Sequence, residues 1–198
     1  MNIILQIFGS AILAIFAENL VFTGGFSSCQ LIRVSKKPDQ ILFFGIAVTI
    51  FEILAAMIVY PIHSALGYGE AAAVLRPLIF TGVVVALYFV VAILMRQLFP
   101  YAFDALKNFL IKAAFNCVVL GVPFILSFSK TSVTFSYVIG YSVGAGIGFM
   151  IASWLVSEAV LRLSNPDMPR AFRGLPIVLI YIGILSLAFF GFAGRVLF

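Results

Sequence analysis

Glu18-Asn19-Leu20-Val21-Phe22-Thr23-Gly24-Gly25 is set inside an otherwise apolar run that extends from Asn2 to about Ile32. One straight helix over that run would be about 45 Å long, well beyond the ~30 Å hydrocarbon core of a bilayer. A carboxylate, an amide and two adjacent glycines also weaken a helix at the depth where they fall. Non-helical backbone is tolerated there only where protein or a polar cavity covers it. The run therefore predicts a discontinuous element that spans or re-enters the membrane.

Five further apolar runs follow, at roughly 41–62, 77–99, 104–128, 133–161 and 174–198. Each is near or above the ~20 residues that cross the hydrocarbon as a helix. The expected architecture is an all-α integral membrane protein with six transmembrane segments. Of the 198 residues, 64% are apolar and 10% charged, and the mean hydropathy is +1.21. That balance excludes a soluble globular enzyme, a disordered chain, a collagen and a disulfide-stapled secreted fold. The connections are short, so residues 1–198 are expected to form a single membrane domain. The first run passes signal-peptide length without an A-x-A exit, which favours a membrane span over a cleaved leader.

The formal charge is +5, but the Lys and Arg residues stand between apolar runs and make no basic face for nucleic acid. They read as orientation signals. Arg33, Lys36, Lys37, Arg96, Lys107, Arg162, Arg170 and Arg173 follow segments one, three and five, whereas the other side holds Arg76, Lys130 and Arg195. By the positive-inside rule both termini face outward. Pro38, Pro61, Pro100 and Pro169 fall at or near expected segment ends, where a missing N–H costs least.

The two halves share a short element. Asn19-Leu20-Val21-Phe22-Thr23-Gly24 in segment one and Asn116-Cys117-Val118-Val119-Leu120-Gly121 in segment four both read N-x-V-x-x-G. Three segments in each half force the second copy to enter from the opposite side, an inverted repeat over about 1–99 and 100–198. Segments one and four are then the discontinuous half-helices. Such folds place their working site near the midplane, where broken helices meet.

The chemistry-bearing residues are few. Cys29 and Cys117 are the two cysteines. Each could be a small buried hydrophobe. Alternatively, as soft ligands suited to zinc, copper or iron–sulfur centres, they could supply half of a site completed by another subunit. Glu18, Glu52 and Lys112, with Glu158 nearby, lie in apolar runs. They read either as a cation or proton path or as a structural charge pair, with Lys112 free to snorkel. Asn19, Gly24, Gly25, Asn116 and Gly121 form the half-helix elements. Gly140, Gly144, Gly146 and Gly148 are expected to serve close helix packing, and His63 to mark a segment boundary.

With these residues placed, the chain resembles the small membrane subunits of the Rnf and Na⁺-pumping NADH:quinone reductase complexes, of the RnfA/NqrE type. The resemblance rests on Glu18-Asn19 followed by Cys29 and Val34-Ser35-Lys36-Lys37, and on Asn116 to Gly121. It continues through Gly140-Tyr141 with Gly144 to Gly148, then Phe172-Arg173-Gly174, Ser186-Leu187-Ala188-Phe189 and Gly191-Phe192. It implies six segments in two inverted triplets. It also implies Cys29 and Cys117 as ligands of a 2Fe–2S cluster shared with a homologous RnfE/NqrD-type subunit, with no complete active site on this chain. Flavin- and iron–sulfur-carrying subunits would be further partners, in a prokaryotic plasma (inner) membrane. The sequence departs from that pattern at Ser27-Ser28-Cys29-Gln30, at Ala92 where the family has a glutamate, at Lys112 where it has a proline, and at Glu158 and Arg162. Glu52 has no family counterpart. The function expected is a subunit of an ion-translocating electron-transport complex, with a small secondary transporter or a scaffold without redox role as alternatives.

The orientation is directly testable. A reporter fused after Phe198 should behave as extracytoplasmic and one inserted near Lys37 as cytoplasmic; opposite labelling would assign the chain the inverted orientation.

Overall fold

A computed structural model describes residues 3–66, 70–128, 134–163, 169 and 172–192. The chain is helical throughout most of these residues, as the bilayer requires. Without water to receive them, backbone N–H and C=O groups must pair within their own segment. The helices are α1 (Ile3–Ile12), α2 (Ser28–Ser35), α3 (Pro38–Leu66), α4 (Glu70–Leu98), α5 (Pro100–Ala114), α6 (Cys117–Phe128), α7 (Phe135–Arg162) and α8 (Leu175–Phe192), with a π-helical turn at Leu13–Ala17 closing α1. Four stretches are long and apolar enough to cross a membrane: Pro38–Ala65, Leu75–Leu98, Leu106–Ile125 and Phe135–Arg162. Ile3–Ala17 and Leu175–Gly191 are shorter apolar helices.

Both expected interruptions are present. The first element stops at Ala17 and resumes at Ser28; the fourth stops at Ala114 and resumes at Cys117. Pro100 sits at the first position of α5, where its missing N–H is harmless. Three observations correct the boundaries. Pro61 lies inside α3 rather than at its end, and α4 begins at Glu70, ahead of the expected position. Arg76 is accordingly a buried residue of α4 and not a loop charge. The expectation failed because a helix can carry apolar and polar turns alike once neighbours bury them. Lys130, Arg170 and Arg195 lie outside the described residues.

Helix α7 is the centre of the packing, and its small residues explain how. A Cβ at Gly140 would meet Ile7 and Ser10 of α1, one at Gly144 would meet the backbone of Ala11, and one at Gly148 would come within 3.0 Å of the Asn19 amide. This stripe packs α1 parallel to α7. On another face, Gly146 receives Thr49 and Met150 occupies the space over Gly45, both on α3, so α3 runs antiparallel to α7. Helix α2 is tied to the same core by Ser35, whose hydroxyl donates to the carbonyls of Leu31 (2.6 Å) and Ser153 (3.1 Å). Close approach of this kind substitutes for hydrophobic driving force, which lipid cannot supply between helices.

Aromatic contacts hold the interruptions to their neighbours. Phe22 packs on Phe189 of α8 with ring centroids 4.6 Å apart, and Phe115 on Tyr88 of α4 at 5.4 Å. Phe44 bridges Phe109 (5.2 Å) and Phe149 (5.9 Å). A substitution pair checks the glycine stripe. Gly144→Ala forces a methyl into the Ala11 backbone and should destabilise the detergent-purified chain by about 1–3 kcal/mol. Gly9→Ala, which faces open space, should leave the melting temperature unchanged or slightly raised; equal behaviour of the two would contradict the close α1–α7 approach.

Candidate functional site

Two asparagines make the interruptions possible. Asn19 is buried; its Nδ2 donates to the carbonyl of Ile15 (2.9 Å), and its Oδ1 accepts from the Val21 N–H (3.1 Å) and the Phe22 N–H (3.3 Å). Thr23 donates its hydroxyl back to the Asn19 carbonyl at 2.6 Å. One side chain thus closes the helix behind it and opens the turn ahead, satisfying end groups that water cannot reach. Asn116 repeats the second half of this device. It is wholly buried and its Oδ1 accepts from the Val118 N–H at 3.1 Å. The N-x-V part of the shared sequence element therefore has one local structure in both copies.

The copies diverge after that bond. Beyond Asn116 helix α6 begins at once, whereas beyond Asn19 the chain makes a further turn before α2. That turn ends through Gly25 at φ 69° and Ser27 at φ 64°. Left-handed backbone is ordinary for glycine and uncommon for serine, and Ser27 is the residue that leads into α2. The final glycine of each copy meets the same side chain. A Cβ at Gly24 would lie 2.6 Å from Cδ2 of Phe26, and one at Gly121 would lie 3.1 Å from its Cδ1. The Phe26 ring is held edgewise between the two interruptions.

Each interruption presents a cysteine. Cys29 sits in the first turn of α2 and Cys117 is the first residue of α6; both are exposed and unpaired. Beside each is a buried polar atom without a partner among the described residues, Ser27 Oγ near Cys29 and Asn116 Nδ2 next to Cys117. The described residues contain no group of three or more His, Cys, Asp or Glu that could hold a metal ion. The pair of thiols can supply at most half of a four-thiolate set.

The acidic residues form a second feature on the buried side. Glu18 and Tyr141, with Thr23 and Gly24, line a cavity of about 210 Å³. Tyr141 is buried on α7, and its hydroxyl has no hydrogen-bond partner among the described residues. Glu52 is fully buried on α3, and neither of its carboxyl oxygens has a hydrogen-bond partner among the described residues. Lys112 is exposed and lines a different cavity, so no Glu52–Lys112 pair forms. Lys107–Asp104 (3.3 Å) and Arg162–Glu158 (3.4 Å) are ion pairs, both exposed. Glu158 is therefore an exposed helix-face residue. Reasoning from charge alone gives Tyr141 no role; its place beside Gly140, one turn after Tyr137, is the signal that points to it.

A family model described as "Rnf-Nqr subunit, membrane protein" matches residues 7–196. One subunit of the Na⁺-translocating ferredoxin:NAD⁺ oxidoreductase complex of Acetobacterium woodii is 32% identical over 181 residues, covering 91% of this chain and 93% of that protein. One subunit of the Na⁺-translocating NADH-quinone reductase of Pseudoalteromonas translucida is 30% identical over 192 residues, with 91% and 94% covered. Its counterpart of the same name in Klebsiella pneumoniae is 31% identical over 188 residues, with 91% and 93% covered.

Glu52 yields a stability test. Glu52→Met removes a buried carboxyl that no described group satisfies, and should raise the melting temperature by the equivalent of about 1–3 kcal/mol. A marked fall would show that the carboxyl is bonded in its resting environment.

Proposed function

Since the chain belongs to the Rnf-Nqr family of membrane subunits, we propose that it serves in a redox-driven, ion-translocating electron-transport complex of a prokaryotic plasma membrane. In this reading Cys29 and Cys117 hold half of a 2Fe–2S cluster, and a homologous RnfE/NqrD-type subunit supplies the other two thiolates. Flavin- and iron–sulfur-carrying subunits deliver and remove the electrons. The observation that carries the proposal is the placement of both cysteines. Each opens a half-helix beyond an asparagine-bonded interruption, and each is left uncovered by its own chain. A thiol needed only for packing would be buried.

The fold reading is six segments in two inverted triplets with both termini outside. The neighbour relations support it. The first interrupted element (α1 and α2) packs on α7, and the second (α5 and α6) on α3. In the same way α4 contacts the second element and α8 the first, and α3 and α7 meet each other most extensively. These are the contacts a pseudo-two-fold axis between α3 and α7 would generate. The parallel register of α1 on α7 and the antiparallel register of α3 on α7 fit the same alternation.

The cluster, when bound, supplies one-electron transfer. The chain's own residues do the rest. Asn19 and Asn116 fix the backbone that carries the cysteines, and the Phe26 ring between Gly24 and Gly121 joins the two interruptions. Asn116 Nδ2 and Ser27 Oγ, within two residues of the cysteines in sequence, are buried polar atoms without a partner among the described residues. Glu18 and Tyr141 share the wall of one cavity, and Glu52 is a buried carboxyl on α3. Such intramembrane groups mark ion or proton routes, and in this reading they take part in coupling; Lys112 does not.

Purification of the complex from its native membrane, with iron and sulfide analysis and an EPR spectrum, tests the proposal. Cys29→Ser and Cys117→Ser should each abolish the cluster signal and electron flow, since a hydroxyl poorly replaces a soft thiolate. Assembly of the complex should persist. The chain alone should retain little iron, and the heterodimer about two irons. Glu52→Gln should reduce ion translocation more than electron transfer. An iron-free complex with full electron transfer, or cysteine variants that keep the signal, would refute the assignment.

A further inference from the structure

A second, larger cavity opens where the end of α2, the start of α3 and the flank of α5 meet. Its volume is about 550 Å³, and its walls include the cations Arg33, Lys37 and Lys112 and the amides of Gln30 and Asn108, with Asp39 as the opposing acid. None of these three cations has an ion-pair partner among the described residues. The site therefore holds an excess of positive charge with hydrogen-bond donors around it. The same cavity is walled by Phe43 and Phe109, whose rings stand 5.1 Å apart.

The position of the cavity along the helices narrows the ligand. Lys112 falls within the apolar stretch Leu106–Ile125 and Phe43 within Pro38–Ala65, so the cavity reaches from Arg33 and Lys37 into the apolar depth that holds Lys112. From Phe43 an exposed apolar stripe continues along one face of α3 through Ile46, Ile50, Leu54 and Met57. Their helical spacing keeps them on a single line. A soluble anion would engage the cations alone, whereas Phe43 makes the cavity continuous with this lipid-facing stripe. A lipid headgroup with its acyl chain matches both parts.

We propose that this cavity binds an anionic phospholipid, with its phosphate between Arg33, Lys37 and Lys112 and an acyl chain along the Phe43–Met57 stripe. Basic pockets between membrane helices take anionic headgroups for the same electrostatic reason. Asp39 biases the site against a second negative charge at the cavity edge without cancelling three cations. Gln30 adjoins Cys29 in sequence, so the lipid would border α2, the helix that carries Cys29. The lipid site depends on the membrane placement of the chain and not on the cluster assignment.

The test uses the full chain reconstituted in phosphatidylcholine bilayers doped with phosphatidylglycerol, extracted gently and examined by native mass spectrometry. Wild type should retain phosphatidylglycerol in strong preference to phosphatidylcholine. Arg33→Gln and Lys112→Gln, both at exposed positions, should each weaken that retention about fivefold, and together about 25-fold. Lys37→Gln serves as a second check if either variant proves unstable, and Arg96→Gln, outside the cavity, should change nothing. Indifference of retention to headgroup charge, or insensitivity to the cavity variants, would overturn the proposal. So would full displacement of the lipid by millimolar inorganic phosphate, which would mark a free-anion site. Cross-linking of Lys112 to an acidic segment of another subunit, with no lipid retained, would make the cavity a protein interface instead.

Discussion

A helix that stops inside a bilayer leaves carbonyls and N–H groups that no water can receive, and the architecture depends on how this chain satisfies them. Asn19 answers on both sides of its interruption, donating to Ile15 and accepting from Val21 and Phe22. Asn116 accepts from Val118 in the same manner. Without these bonds the backbone could not leave the helix at those points, and neither cysteine would stand at a helix start. The local cost is highest in the first copy, where Ser27 adopts a left-handed conformation that serine rarely takes.

Packing turns two separate interruptions into one structure. Glycines in α7 allow α1 and α3 to approach at van der Waals distance, and Gly24 and Gly121 do the same for the Phe26 ring. These contacts are backbone-close, so they hold the elements in register with little tolerance. That rigidity suits a scaffold which must present groups to a neighbouring subunit. The exposed faces of α3, α4 and α8 are correspondingly apolar, as lipid or other membrane helices require.

Charge is sorted by depth and by face. The pairs Lys107–Asp104 and Arg162–Glu158 are exposed, where they contribute little to stability. The interior instead contains the Glu52 carboxyl and the Tyr141 hydroxyl, neither with a hydrogen-bond partner among the described residues. An unpaired carboxyl in such surroundings carries a desolvation penalty with nothing to offset it. Three cations lie elsewhere, in the cavity between α2, α3 and α5.

Much was legible in the chain by itself. Composition determined the solvent, because a sequence with 64% apolar residues has too little polar surface to face water. Polar residues and glycines inside the first apolar run determined that its helix would break, since they weaken helical backbone wherever the chain places them. The second break was legible only through its likeness to the first, because Asn116 stands alone among apolar neighbours. Other features were decided by tertiary structure. The distance from Glu52 to any cation depends on which faces of α3 and α5 turn inward, and Lys112 lies on an exposed face while Glu52 is buried. The position of Arg76 inside α4, the shared cavity wall of Tyr141 and Glu18 and the Phe26 ring between two glycines likewise follow from helix register. Register is set by the sum of many side-chain contacts between distant parts of the chain, and no local stretch of sequence contains that sum.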